Sequence, residues 1–325
     1  MDEILRIIPP QIQEKLRHLT IQEWDELQEI RLRIGRPIEL IFSGHQQVLS
    51  EVIPREHDSQ YVINQLGDYS IYRLEDELRE GYITIAGGHR VGLAGKVNTE
   101  KGFVKAIRHI SSFNIRIARE KIGVANEVVD SLYEDCYRNT LLIGPPQTGK
   151  TTLLRDMARI ISEGSNQLPS RKVGIIDERS EIAGSLHGVP QHQLGLRTDV
   201  MDACPKAEGM MMMIRSMSPE VLIVDEIGSK EDVKALMEAV YAGVTVISTV
   251  HGDSYDSVKH RPSLRPLFQN HVFERYIVLN EWDRSGFTRT LLNHQGQRIP
   301  LKKRCMANEM DRSTSPTVRY NVGRI

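Results

Sequence analysis

Gly144, Pro145, Pro146, Gln147, Thr148, Gly149, Lys150 and Thr151 form the one stretch of this chain whose types and spacing specify a chemistry outright. They match G-x-x-x-x-G-K-[ST], directly after the apolar run TLLI and before the helical run TLLRDMARII, which is the strand, turn and helix setting that the pattern requires. Two glycines let the backbone fold closely round phosphates, so that its N–H groups and the positive end of the following helix face the anion. Lys150 adds a point charge for the outer phosphates, Thr151 offers a hydroxyl to Mg²⁺, and Thr152 completes the nucleotide-binding set at the start of the helix. A second signal lies in VLIVDEIG, residues 221 to 228. Asp225 ends an apolar strand, which puts its carboxylate at the carboxyl edge of a sheet, where phosphates and metal sit. It is the expected partner of Thr151 in holding Mg²⁺. Glu226, one residue on, is placed to polarise a water for attack on a terminal phosphate.

These groups need a sheet to hold them, and the second half of the chain reads as one. Short unbroken apolar runs at 140 to 143, 173 to 176, 221 to 224 and 244 to 248 alternate with segments long enough for helical crossovers. Strands buried on both faces have this appearance, so a doubly wound parallel sheet is predicted, with a further strand over 272 to 279. Ahead of it, Ala125, Val128, Val129, Leu132, Tyr133 and Cys136 fall on one face of an amphipathic helix leading into the P-loop strand.

The first third has a different rhythm. Ile30, Leu32 and Ile34 alternate, as do Ile38, Leu40 and Phe42, with Gly35 and Pro37 at the break, which predicts two strands. Val62, Leu66, Ile71, Leu74 and Leu78 recur at helical spacing over 58 to 80, and Gly81 stands where a C-cap would. YITIAGGHRVGLAGKV and FVKAIRHI alternate about glycine and polar turns and read as antiparallel strands. The expected organisation is an N-terminal α+β domain over residues 1–120, a P-loop ATPase domain over 121–282 and a C-terminal extension over 283–325.

A P-loop strand, an intervening VGIID strand and a strand ending in Asp-Glu resemble the P-loop ATPases that carry an additional central strand and a catalytic glutamate. The fold so implied is α/β and RecA-like or AAA-like, with ATP as the nucleotide. Within that class IIDERSEI, residues 175 to 182, is similar to the acidic box of the type II and type IV secretion ATPases, and STVHG, residues 248 to 252, to their histidine box. The resemblance implies active-site roles for Glu178 and His251, with Thr249 at the sensor position of its strand. EIRLRIGRPIEL, GHRVGLAGKV, ISSFNIRIARE, LRTDVMDACPKAEGMMMMIRSMSPEVLIVDEIG and HVFERYIVLN resemble the stage III sporulation protein AA family over most of residues 27 to 280, and residues 281 to 325 depart from it. That family implies a homo-oligomeric ring of six subunits that powers a channel-like complex between mother cell and forespore through a membrane-embedded partner.

An arginine reaching across a subunit boundary would complete such a site. Arg31, Arg33, Arg197 and Arg215 are the candidates, with Arg197 and Arg215 preferred. Met210 to Met213 with Met217 read as packing rather than as a cofactor box. With 40% hydrophobic and 26% charged residues the composition excludes a disordered chain or a disulfide scaffold. Three cysteines, Cys136, Cys204 and Cys305, lie far apart with no CxxC spacing, which fits a reducing cytoplasm. The opening MDEILRIIPP is too short and acidic for a signal peptide, so a cytoplasmic protein with at most peripheral membrane contact is expected. A net charge of −1 and 6% aromatics give little support to the alternatives of a nucleic-acid motor, and Glu226 argues against a pure nucleotide-binding assembly module. The basic tail from Leu301 reads as a solvated extension.

Overall fold

The structure, a computed structural model, describes residues 1–67, 78, 81–100, 103–283 and 286–302. Three short helices open the chain: α1 (Asp2–Ile7), α2 (Pro10–Arg17) and α3 (Ile21–Glu26). Thr20 and Glu23 close the start of α3 as a reciprocal cap, each side chain bonding the other's backbone N–H. Strands β1 (Leu27–Arg33) and β2 (Arg36–Phe42) follow as a hairpin whose turn uses Gly35 at φ 74°. In β2 the buried Ile38, Leu40 and Phe42 alternate with more exposed neighbours, so a single face is apolar. β3 (Gln46–Leu49), α4 (Glu56–Leu66), β4 (Tyr82–Ile85), β5 (His89–Glu100) and β6 (Phe103–Arg116) complete an antiparallel sheet in the order β3-β2-β1-β6-β5-β4. Ile4, Ile8, Ile12, Leu16 and Trp24 of the helical start pack against Leu27, Ile30, Leu40 and Ile115 of its inner face. The helix expected over 58 to 80 begins at Glu56 and is capped at Gly67; Ile71 and Leu74 lie outside the described residues.

The second sheet is built from β7 (Thr140–Gly144), β8 (Val173–Asp177), β9 (Thr198–Asp202), β10 (Val221–Val224), β11 (Thr245–His251), β12 (Arg275–Asp283) and β13 (Gly286–Asn293), in the order β13-β12-β7-β11-β10-β8-β9. All neighbours are parallel except β12 and β13. Helices α5 (Asn126–Leu132) and α6 (Lys150–Glu163) cover one face, where Leu142, Ile175, Ile223 and Ile247 point. Helices α7 (Lys206–Met217), α8 (Lys230–Tyr241), α9 (Tyr255–Lys259) and α10 (Arg265–Gln269) cover the other, where Leu141, Ile143, Ile176, Leu222 and Val246 point. Every residue of β7, β8 and β10 is buried, which is why these strands read as unbroken apolar runs. The fold is the predicted mixed α/β with a parallel sheet preceded by an antiparallel one. No helix among the described residues is long and apolar enough to cross a membrane.

Three local readings differ. The joining helix stops at Leu132 because the Leu132 carbonyl accepts from the Arg138 N–H at 2.9 Å, which turns the chain back so that Tyr133 and Tyr137 pair as an isolated bridge and Cys136 is exposed. β9 has half-exposed edge positions and no apolar run to announce it. Residues 286–293, read from sequence as part of an extension, form β13 on the other edge of the sheet. From residue 303 the basic tail lies outside the described residues.

The turn after β8 is fixed by Asp177. Its Oδ1 accepts from the Glu181 N–H at 2.8 Å, and its Oδ2 from those of Ile182 and Ala183 at 3.0 and 2.8 Å. Burial pushes the Asp177 carboxyl up to about 6, against the pull of those three bonds, with Asp202 adding to the rise. A carboxyl raised on folding contributes most below the unfolded pKa of 3.8 and loses that contribution as pH rises through about 6. The unfolding free energy of wild type minus that of Asp177→Asn should therefore fall by up to about 3 kcal/mol between roughly pH 4 and pH 6, at 1.36 kcal/mol per unit. Denaturant titrations of both proteins across that range check it, and a difference that rises with pH would contradict this account of the buried group.

Candidate active site

The P-loop leaves β7 at Gly144, where a Cβ would lie 2.7 Å from Thr148 Oγ1 and 3.1 Å from Leu279 Cβ, so only glycine fits. Gln147 at φ 64° and Gly149 at φ 80° take left-handed backbone, and Thr148 Oγ1 donates to the Pro145 carbonyl at 2.8 Å, which ties the loop across. Gly149 is the N-cap of α6, and no side chain caps that helix, so its first N–H groups remain available to an anion.

Lys150 is 5% exposed. Its ammonium donates to the carbonyls of Gly144 and Pro145 at 2.9 and 2.7 Å and sits 3.1 Å from His251 Nδ1. Burial lowers its pKa, while the charges of Asp225 and Glu226 oppose that shift. His251 Nε2 is 2.7 Å from Glu226 Oε1. Because the lysine can only donate, Nδ1 accepts and Nε2 carries the hydrogen, which sets one direction along Lys150, His251 and Glu226.

Thr151 Oγ1 donates to Asp225 Oδ2 at 2.9 Å, so the two side chains expected to hold Mg²⁺ already share a site. A hydroxyl and a carboxylate are the hard oxygen donors that Mg²⁺ takes alongside phosphate and water. Thr249 Oγ1 donates to Asp225 Oδ1 and accepts from the Glu226 N–H at 2.8 Å. That second bond helps to hold Glu226 in left-handed backbone, at φ 50°. β11 makes this possible. It lies between β7 and β10, pairing in parallel with both, and carries Thr249 and His251 to the carboxyl edge between the P-loop and the Asp-Glu pair.

The remaining sequence candidates lie elsewhere. Glu178 is paired with Lys206 at the start of α7 rather than with the P-loop groups. Arg197 donates to Ser170 and lies 3.9 Å from Glu220, the residue before β10, and Arg215 is exposed near the end of α7. Both stand toward the amino edge of the sheet, opposite the P-loop. Arg31 and Arg33 pair with Glu29 and Glu39 in the antiparallel sheet. Met210 and Met213 are buried, whereas Met212 and Met217 are half exposed. Sequence reasoning missed Arg179, whose Nη1 is 3.0 Å from Glu226 Oε2, because nothing in DERSE separates it from a surface arginine. It also missed Arg155 of α6, which donates to the carbonyls of Ile182 and Glu181 at 2.6 and 2.7 Å and so ties the acidic turn to the P-loop helix.

Comparison with known proteins bears on the family and the fold. The chain is 53% identical over 296 residues to stage III sporulation protein AA of Bacillus subtilis strain 168, covering 91% of this chain and 96% of that protein. Among solved structures it is similar to the Legionella pneumophila ATPase DotB, with a TM-score of 0.59 at 15% identity over 89% of this chain and 82% of that one. It is also similar to the pilus retraction motor PilT with bound ADP, with a TM-score of 0.57 at 17% identity over 85% and 83% of the two chains. Identities this low show a shared fold. The profile described as "Sporulation stage III, protein AA" matches residues 1–299, and the chain belongs to that family.

Proposed function

We propose that this chain is an ATP-hydrolysing motor resembling the secretion ATPases, which works as a ring of six copies and powers a sporulation-specific channel complex between mother cell and forespore. The observation that carries the reading is the gathering of Lys150, His251, Glu226, Asp225 and Thr151 within hydrogen-bond reach at one edge of a parallel sheet. In this reading the backbone of residues 144–149 and the start of α6 hold the phosphates of ATP. Lys150 exchanges the carbonyls of Gly144 and Pro145 for the outer phosphate oxygens. Thr151 and Asp225 hold Mg²⁺, which when bound neutralises charge on those oxygens. Glu226 takes the proton of a water as its oxygen bonds to the terminal phosphorus and the bridging bond to ADP breaks. His251 steadies the glutamate. Arg197 and Arg215, near the far edge of their own sheet, reach a phosphate only in a neighbouring copy, and a membrane-embedded subunit of the sporulation complex is the partner on which the ring docks.

Lys150→Ala should abolish hydrolysis and weaken ATP binding, because the backbone alone leaves the outer phosphates under-neutralised. Full activity in that variant contradicts the P-loop assignment. Glu226→Gln should keep ATP affinity while losing at least about 100-fold in turnover, the scale of a general-base contribution. Asp225→Asn should instead weaken Mg²⁺-dependent binding. Titrations of nucleotide against both variants, set beside their turnover, separate the two roles. Specific activity should also rise with protein concentration through the association range, followed by light scattering, since a neighbour completes the site. A flat profile removes the shared site from the account.

A further inference from the structure

Glu226 must face a water to act as a base, yet both its oxygens are engaged: Oε1 with His251 and Oε2 with Arg179. Arg179 belongs to the turn after β8, whereas Glu226 follows β10, so the position of that turn decides how closely the cation approaches the carboxylate. The turn is fastened from three directions. Asp177 accepts its N–H groups, and Arg155 of α6 donates to its carbonyls. The third fastening comes from the antiparallel sheet. Arg90 Nη1 of β5 lies 2.7 Å from Glu181 Oε1, and the Tyr82 hydroxyl of β4 donates to the Arg179 carbonyl at 3.4 Å. The Arg90 guanidinium stacks over the Tyr82 ring, 3.8 Å from its centre, so paired strands present the two side chains as one unit. A continuous line of contacts therefore runs from the N-terminal sheet through Glu181 and Arg179 to Glu226.

We propose that Arg179 is a positioning residue that holds the Glu226 carboxylate away from the water, and that the N-terminal sheet sets this hold through Arg90 and Tyr82. The proposal rests on the ATPase reading above. A guanidinium at hydrogen-bond distance competes with a water for the same oxygen. The Arg179 side chain is 61% exposed, so the pair is weak enough to break in each cycle. Movement of the N-terminal sheet that parts Arg90 from Glu181 slackens this fastening, lets the turn withdraw Arg179 and releases Glu226. Coupling of this kind is reciprocal, so whatever engages Glu226 also biases the sheet.

The test is the single-turnover hydrolysis rate and the ATP affinity of the full chain carrying Arg179→Ala, Arg179→Lys or Arg90→Ala, each alone and with Glu226→Gln, with thermal melting to confirm folding. Arg179→Ala should raise the rate roughly threefold to fivefold at unchanged affinity, the scale of an exposed ion pair. Arg179→Lys, which keeps the cation, should stay near wild type. Arg90→Ala should move the rate the same way, add nothing to Arg179→Ala, and like it be silent when Glu226 is already Gln. Arg179→Gln replaces the alanine variant should that one unfold. A lowered or unchanged rate in a folded Arg179 variant, or an effect that persists with Glu226→Gln, overturns the proposal, and additivity of the Arg90 and Arg179 changes overturns the part assigned to the N-terminal sheet. Wild-type hydrolysis that is absent, or that survives Lys150→Ala, defeats the ATPase reading and the hold with it. Hydrolysis that depends on Lys150 but ignores Arg179 defeats the hold alone.

Discussion

The Lys150 ammonium, 5% exposed, is held by the carbonyls of Gly144 and Pro145 and by His251 Nδ1. A buried cation is costly unless it is paired, and here its partners are dipoles rather than a contacting carboxylate. That constraint organises the carboxyl edge. The loop must turn its carbonyls inward, which requires left-handed backbone at Gln147 and Gly149 and no Cβ at Gly144. A strand must also enter between β7 and β10 to bring His251 within reach, and β11 does so in register with both. Asp225 and Glu226 then supply the negative charge that opposes the cost of burying the lysine. A phosphate answers the same need more fully than carbonyl dipoles can, which is the electrostatic logic of a site prepared for an anion.

Around this edge the two sheets meet closely. A Cβ on Gly88 of the first sheet's β4–β5 turn would lie 2.9 Å from the ring of His192, and a Cβ on Gly184 would meet the same ring. Burial pushes the His192 imidazole down to about 4, with the Arg155 charge acting in the same direction. His89 Nδ1 accepts from the Ala118 N–H at 3.0 Å, and Glu120 accepts from the Gln193 N–H at 2.5 Å. Small residues and backbone bonds thus bring the acidic turn, the N-terminal sheet and the P-loop helix into one network. Contacts from the first sheet thus reach the turn whose Arg179 pairs with Glu226.

Much of this is legible in the sequence because burial on both faces leaves a plain signature. TLLI, VGII and VLIV are strands for that reason, and Gly149, Lys150 and Thr151 follow the first of them at the spacing that a phosphate loop needs. The pairing of Thr151 with Asp225, and the approach of His251 to Lys150, likewise follow from strand ends sharing one edge. Other features leave no such trace. β9 and β13 are edge strands, and β9 has no fully buried position to mark it as an apolar run. The break after Leu132 depends on one backbone bond from Arg138, which no periodicity records. Arg179 and Arg155 act through tertiary contacts with Glu226 and with the acidic turn, and a lone arginine carries no pattern that announces such a partner. Arg197 and Arg215 are candidates by residue type alone; Arg197 directly precedes β9 and Arg215 lies near the end of α7 ahead of β10, toward the opposite edge from the P-loop.

The central claim is that the buried lysine and the Asp-Glu pair form a site for Mg²⁺-ATP. The position of Lys150 in a high-resolution structure of the full chain, determined with a non-hydrolysable ATP analogue and Mg²⁺, tests it most directly. The account predicts that the Lys150 ammonium leaves the carbonyls of Gly144 and Pro145 for the outer phosphates, with the metal beside Thr151 and Asp225 and an ordered water within reach of Glu226. A nucleotide bound elsewhere, or a Lys150 still bonded to both carbonyls with the phosphates out of its reach, would contradict it.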